Sequence, residues 1–225
     1  MSRVYSLYST SVGKKFTMAV SGAIFVLFVI VHMFGNLKVY LGPEAFNHYA
    51  EGLRGFGEPF LGHEWFLWAF RAGLIAALLI HVLAAWQTSR QSWAARGHKY
   101  RKRDNLVFHY ASRTMRWGGV ALFLFIVYHI LHLTTGTLHP DFVPGDAYHN
   151  FVTGFRSVPV VVIYSVAMIA LGLHLYHGTW SAFQTMGVDG PRINRWREPI
   201  ALGVALIVVL VNLSFPVAVY TGIIH

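Results

Sequence analysis

FVLFVIVHMFGN, residues 25–36, carries a single histidine, His32, inside an otherwise apolar run. Such a run reads as a lipid-solvated helix. An imidazole placed there with no acidic neighbour in its own helix needs a partner, because an unpaired polar group in hydrocarbon costs several kcal/mol. The construction recurs three times, at His81 in LLIHVLAA, His129 in FIVYHILH and His174 in LGLHLYHG. Four histidines on four separate apolar stretches are what any reading of the chain has to place.

The chain of 225 residues is 55% hydrophobic and 12% charged, with a mean hydropathy of +0.49. Soluble domains carry about 25% charged residues, so lipid must solvate most of this one. Five stretches reach the roughly 20 residues that a spanning helix needs: 16–39, 64–89, 115–137, 157–185 and 198–223. The expected fold is therefore all-α, a single transmembrane domain over 1–225 built as a bundle of five helices. Residues 1–13 precede the first span and are expected along the surface. The loop 40–63 contains GPEAFNHYAEGLRGFGEP, which reads as a short interfacial helix after Pro43. The loops 90–114 and 186–197 are basic, and 138–156 is polar and broken by Pro140, Pro144 and Gly145. Lys14 and Lys15 precede an apolar run too long for a cleavable signal.

Charge sets the expected orientation. Of 18 Lys and Arg, Arg3, Lys14, Lys15, the run from Arg90 to Arg116, Arg192, Arg195 and Arg197 fall on one side, against Lys38, Arg54 and Arg156 on the other. The positive-inside rule then makes the N-terminus cytoplasmic and the C-terminus external. This distribution accounts for the net charge of +9 without nucleic acid. The basic face serves as a topology signal and also suits docking of a soluble partner.

An internal repeat selects among the histidines. FVLFVIVH, ending at His32, aligns with LFLFIVYH, ending at His129, and shares a phenylalanine (Phe28, Phe125) four residues before each histidine. LLIHVLAAW around His81 aligns with LGLHLYHGT around His174, with a small residue (Ala85, Gly178) four residues after. The two helical hairpins read as a weakly preserved parallel repeat. It picks His129 over His132 and His174 over His177.

Helix direction supplies the pairing. Spans one and three run outward, with His32 and His129 nearer their outer ends; spans two and four run inward, with His81 and His174 nearer their inner ends. At about 1.5 Å rise per residue the two levels differ in depth by roughly 5–12 Å. An iron needs both axial ligands at one level, so the pattern implies two bis-histidine haems, an outer one on His32/His129 and an inner one on His81/His174. Without cysteine there can be no iron–sulfur ligation and no covalent c-type attachment, which makes these haems b-type. No span interior carries a carboxylate, which weighs against a proton relay or transporter.

His132 and His177, at i+3 from the ligands, share their helix faces and are expected to bond a haem edge, a propionate or water. Arg71, the one charge at membrane depth, lies near the level of His32 and is expected on a propionate; snorkelling to the outer surface is the alternative. Lys38 is a second candidate for the same haem. Ser21, Thr17 and Lys15, near the inner end of span one, are candidates for a quinone, although Ser and Thr also back-bond helices routinely.

SGAIFVLFVIVHMFGN (21–36), WAFRAGLIAALLIH (68–81) and LHLYHGTWSAFQTMG (173–187) together resemble the membrane cytochrome b subunit of succinate dehydrogenases and fumarate reductases, in its single-subunit, five-helix, two-haem form. The resemblance runs from about Lys14 to the last span, and the four histidines are its most specific part. It implies one axial ligand from each of the first four helices, hence His32, His81, His129 and His174. It also implies a flavoprotein subunit and an iron–sulfur subunit as partners, reduction of a quinone, typically menaquinone, and a bacterial-type cytoplasmic (inner) membrane. A higher oligomer of the whole complex is left open. The chain carries no flavin, dicarboxylate or iron–sulfur motif and so cannot oxidise succinate by itself. Some fumarate-reducing members hold a buried glutamate near the fourth-helix ligand; Gly172 and Leu173 stand in that neighbourhood here, which speaks against that proton path. The rivals are a nitrate-reductase-type cytochrome b, which concentrates its ligands on two helices, and a haem-free transporter or scaffold.

Overall fold

The computed structural model describes residues 8–94, 106–188 and 190–225, with 106–114 by backbone alone. The start of the expected surface segment 1–13 and the middle of the basic loop 90–114 lie outside the described residues. Among those residues every regular element is helical. In order they are α1 (Ser11–Asn36), a 3-10 turn (Leu37–Leu41), α2 (Pro43–Arg54), α3 (Trp65–Ala94), α4 (Leu106–His129) widening into a π turn (Ile130–Thr134), α5 (Ala147–Phe155), α6 (Val158–Thr185) and α7 (Pro191–Tyr220). The helices α1, α3, α4, α6 and α7 are long and apolar enough to cross a membrane, the architecture of a multi-pass membrane protein. Leu27, Leu79, Val166 and Leu210 are each more than half exposed, as apolar faces solvated by acyl chains should be.

Several boundaries differ from those read off hydropathy. α1 begins at Ser11 because Thr10 caps it, its hydroxyl oxygen accepting the Gly13 N–H at 3.0 Å. α3 runs on to Ala94, and α7 starts at Pro191, with proline in a first turn that has no use for its N–H. Hydropathy ends a span where charge begins, but backbone hydrogen bonding continues past that point. Glu198 therefore lies two turns inside α7 rather than at its start, accepting from the Tyr176 hydroxyl at 3.2 Å.

The interfacial helix expected after Pro43 is α2. The segment 138–156, expected as an irregular polar loop, instead contains α5. That helix is deeply buried: Phe151, Val152 and Phe155 share one core with Phe46 of α2, Tyr164 of α6 and Phe215 of α7. Asp146 caps α5, accepting the His149 N–H and the Asn47 side-chain amide, both at 2.9 Å, while the Asn47 carbonyl accepts the Tyr148 N–H at 2.9 Å. This two-way clasp ties α2 to α5 and closes one end of the bundle. The His149 N–H, and after it the Asn47 amide, hold the Asp146 carboxyl below its ordinary range.

Within the bundle α1 packs on α3 and α6, α4 packs on α6, and α7 packs on α6 and α1. α7 lies close at Gly172, where an added Cβ would run into the end of the Val209 side chain.

Candidate cofactor site

The four histidines meet in two pairs at two levels. Nearer the start of α1, the rings of His81 (α3) and His174 (α6) have centroids 6.2 Å apart, inclined at 58°. Further along, the rings of His32 (α1) and His129 (α4) are 5.9 Å apart, inclined at 83°. Two imidazoles bound through nitrogen to opposite sides of one metal, with bonds of about 2 Å plus a ring radius on each side, stand roughly 6 Å apart centre to centre.

Hydrogen bonding sets the tautomer at His81. Its Nδ1 lies 3.1 Å from the Met18 carbonyl, which can only accept, and 3.1 Å from the Ser21 hydroxyl. Nδ1 therefore carries the proton and Nε2 keeps the lone pair, the arrangement in which a metal-binding histidine is oriented by its other nitrogen. At the second level the Tyr164 hydroxyl lies 3.1 Å from Nδ1 of both His129 and His132. A hydroxyl has one proton, so one of these rings must donate to it. Donation by His129 leaves its Nε2 free as well.

The repeat extends into the packing. Phe28 stacks on His32 at 5.3 Å and Phe125 on His129 at 5.8 Å. Ten residues before each of these histidines stands a glycine. A Cβ on Gly22 would lie 3.3 Å from His81 Cε1, and one on Gly119 would lie 3.9 Å from His174 Cε1. Both helices thus present bare backbone to the other pair. Neither glycine was singled out from the sequence, though extending the repeat upstream, SGAIFVLFVIVH over GGVALFLFIVYH, would have found them. Ten residues of α1 make the two levels about 15 Å apart. This exceeds the expected 5–12 Å, because the helices extend beyond the span ends from which depth is judged by hydropathy.

Two buried polar atoms on the histidine faces lack a partner among the described residues: Nδ1 of His174, and Oγ1 of Thr88 two turns below His81. The ring spacing at each level suits a metal bound by one imidazole from either side.

The remaining candidates fall as follows. His132 is 1% exposed and stacked between Tyr128 at 5.4 Å and His139 at 5.0 Å. It lies in the π turn that begins at Ile130, against Gly154 of α5. His177 is half-buried, one turn after His174. The Arg71 guanidinium lies over the Trp68 ring at 4.8 Å, and Lys38 lies 5.6 Å from the centre of the Tyr49 ring. Ser21 is buried, donates to the Thr17 carbonyl at 2.8 Å and meets His81. Thr17 donates back to the Gly13 carbonyl at 3.0 Å. Lys15 is exposed and, two residues before Thr17, leaves α1 from the opposite side. These three do not converge on one cavity.

Comparison of the chain with protein-family models, with curated proteins and with solved structures finds no match in any of the three.

Proposed function

We propose that His32 with His129, and His81 with His174, are the axial ligands of two b-type haems, and that the chain is the membrane anchor and electron-transfer subunit of a succinate:quinone oxidoreductase-type complex. The observation that carries this reading is the spacing of the rings, 5.9 and 6.2 Å at two levels, with one histidine from each of four helices. A haem would supply a one-electron carrier at each level. The chain's own residues hold and orient it: Met18 and Ser21 fix the His81 ring, Tyr164 fixes His129, and Gly22 and Gly119 leave room beside the rings. Lipid-facing leucine, valine and isoleucine keep water out.

Lys14, Lys15, Arg90, Arg116, Arg192 and Arg195 gather at the end of the bundle where α1 begins. By the positive-inside rule this end faces the cytoplasm and the C-terminus lies outside. Flavoprotein and iron–sulfur partners would dock there, and the His81/His174 level lies nearest to them. The function proposed is to pass electrons from the iron–sulfur partner to a quinone, menaquinone by the resemblance above, in a bacterial-type cytoplasmic membrane. The test is a reduced-minus-oxidised spectrum of the purified chain with a haem count. Two low-spin b haems per chain are expected; absence of haem would leave a transporter or scaffold.

A further inference from the structure

Where α1 begins beside the end of α3, a cavity of about 330 Å³ is lined by Lys14, Trp86, Gln87, Arg90, Gln91 and Ala94. Among the described residues its lining holds two cations and no acid. Among the described residues the ion pairs are confined to Arg54 and His63 with Glu51, Glu58 and Glu64, all in α2 and the loop after it. Among the described residues Lys14 donates only to the Ser9 carbonyl, at 3.1 Å. Arg90 lies over the Trp86 ring at 5.0 Å, a contact that leaves its N–H groups unused.

The placement of the lysines is unfavourable by itself. The first turn of α1 has no acidic residue, and Lys14 and Lys15 follow directly, at the end where the helix dipole is already positive. Gln87 adds a buried side-chain oxygen without a partner, and its amide can turn either its carbonyl or its NH₂ toward a ligand. An anion in the cavity would answer the two cations and the dipole together.

Depth decides which anion. Trp86 is 55% exposed and Trp93 58%, the aromatic belt of a membrane–water interface. One turn further toward the bundle's middle, Val82 and Leu83 are exposed and purely apolar. The cavity therefore opens on the lipid-facing flank at headgroup depth, with room for acyl chains alongside. We infer that Lys14 and Arg90, with the Gln87 and Gln91 amides, bind the phosphodiester of an anionic phospholipid from the leaflet at this end. A zwitterionic lipid brings its own ammonium to compete with the two side chains, and free phosphate has no chains to lay along Val82 and Leu83. This site is independent of the histidine pairs.

The test is native mass spectrometry of the full chain in detergent with dioleoyl phosphatidylglycerol, dioleoyl phosphatidylcholine or inorganic phosphate. Phosphatidylglycerol should be retained, one per chain, in preference to the other two. Lys14→Gln should weaken retention about fivefold and the double variant with Arg90→Gln about thirtyfold. Arg90→Lys should keep most of it. Arg195→Gln, at the same end but outside the lining of the cavity, should change nothing. Equal retention of phosphatidylcholine, inorganic phosphate binding as tightly as the lipid, or an unaffected double variant would each overturn the assignment.

Discussion

The Tyr164 hydroxyl stands 3.1 Å from Nδ1 of His129 and 3.1 Å from Nδ1 of His132, so one residue of α6 holds two rings of α4 and its π turn. Tyr164→Phe leaves both rings short of a partner in a buried place and should cost about 1–3 kcal/mol. If His129 is a haem ligand, the metal site at its level should also weaken about 10–100-fold, with the His81/His174 level unaffected. Haem per chain after dialysis against apomyoglobin measures this. Full retention of both haems would remove Tyr164 from the ligand's support.

Replacing His129 or His174 with Asn should remove one haem each. Replacing His132 should leave both in place, because its ring is committed to Tyr164, Tyr128 and His139. A haemochrome assay on each purified variant decides it. Loss of haem from the His132 variant with retention in the His129 variant would reverse the choice of ligand.

Gly22 and Gly73 make a matched pair. A Cβ on Gly22 meets His81 at 3.3 Å, whereas one on Gly73 meets nothing. Gly22→Leu should cost about 1–3 kcal/mol by overpacking and halve the haem content. Gly73→Leu should do neither. Equal haem content in the two variants would mean that the bare backbone at Gly22 serves no cofactor.

Arg71→Leu removes a cation near the start of α3, expected at the level of His32. A cation near a haem stabilises the reduced, less positive centre, so its loss should lower the potential of the His32/His129 haem and leave the other almost unchanged. A redox titration that resolves the two haems reads this directly. A shift confined to the His81/His174 haem would contradict the level assigned to Arg71.

Asp146 sets a pH dependence outside the spans. Its carboxyl is held below the ordinary range by the His149 N–H and then the Asn47 amide. The stabilisation it gives is thus present above the unfolded-state value of about 3.9 and is lost as pH falls through the lower folded-state value. Asp146→Ala should cost about 1 kcal/mol at neutral pH, and the gap from the parent chain should close in acid. Unfolding curves in detergent from pH 7 downward test the sign; a gap that widens in acid would refute it.

Much of the arrangement is readable along single helices. Apolar length marks the five spans, and the lack of cysteine narrows the chemistry. The alternating direction of the spans also puts His32 level with His129 and His81 level with His174. Ser21 was legible only as a polar group near one helix end. Its contact with His81 spans 60 residues of sequence and depends on how α1 and α3 are rotated against each other. α5 was missed because Pro140, Pro144 and Gly145 punctuate the segment before it, while its capping group, Asp146, answers to Asn47 across 99 residues.

Five helices long and apolar enough to cross a membrane, with a histidine on each of four of them, can be read along the chain because apolar length and helical period are local properties. The bracing of His129 by Tyr164, the bare backbone of Gly22 and Gly119 beside the other pair, and the cavity shared by Lys14 and Arg90 arise only from packing between helices. Each of these depends on the rotation and offset of one helix against another. Those are set by side-chain packing between segments far apart in the chain, and no local pattern encodes them.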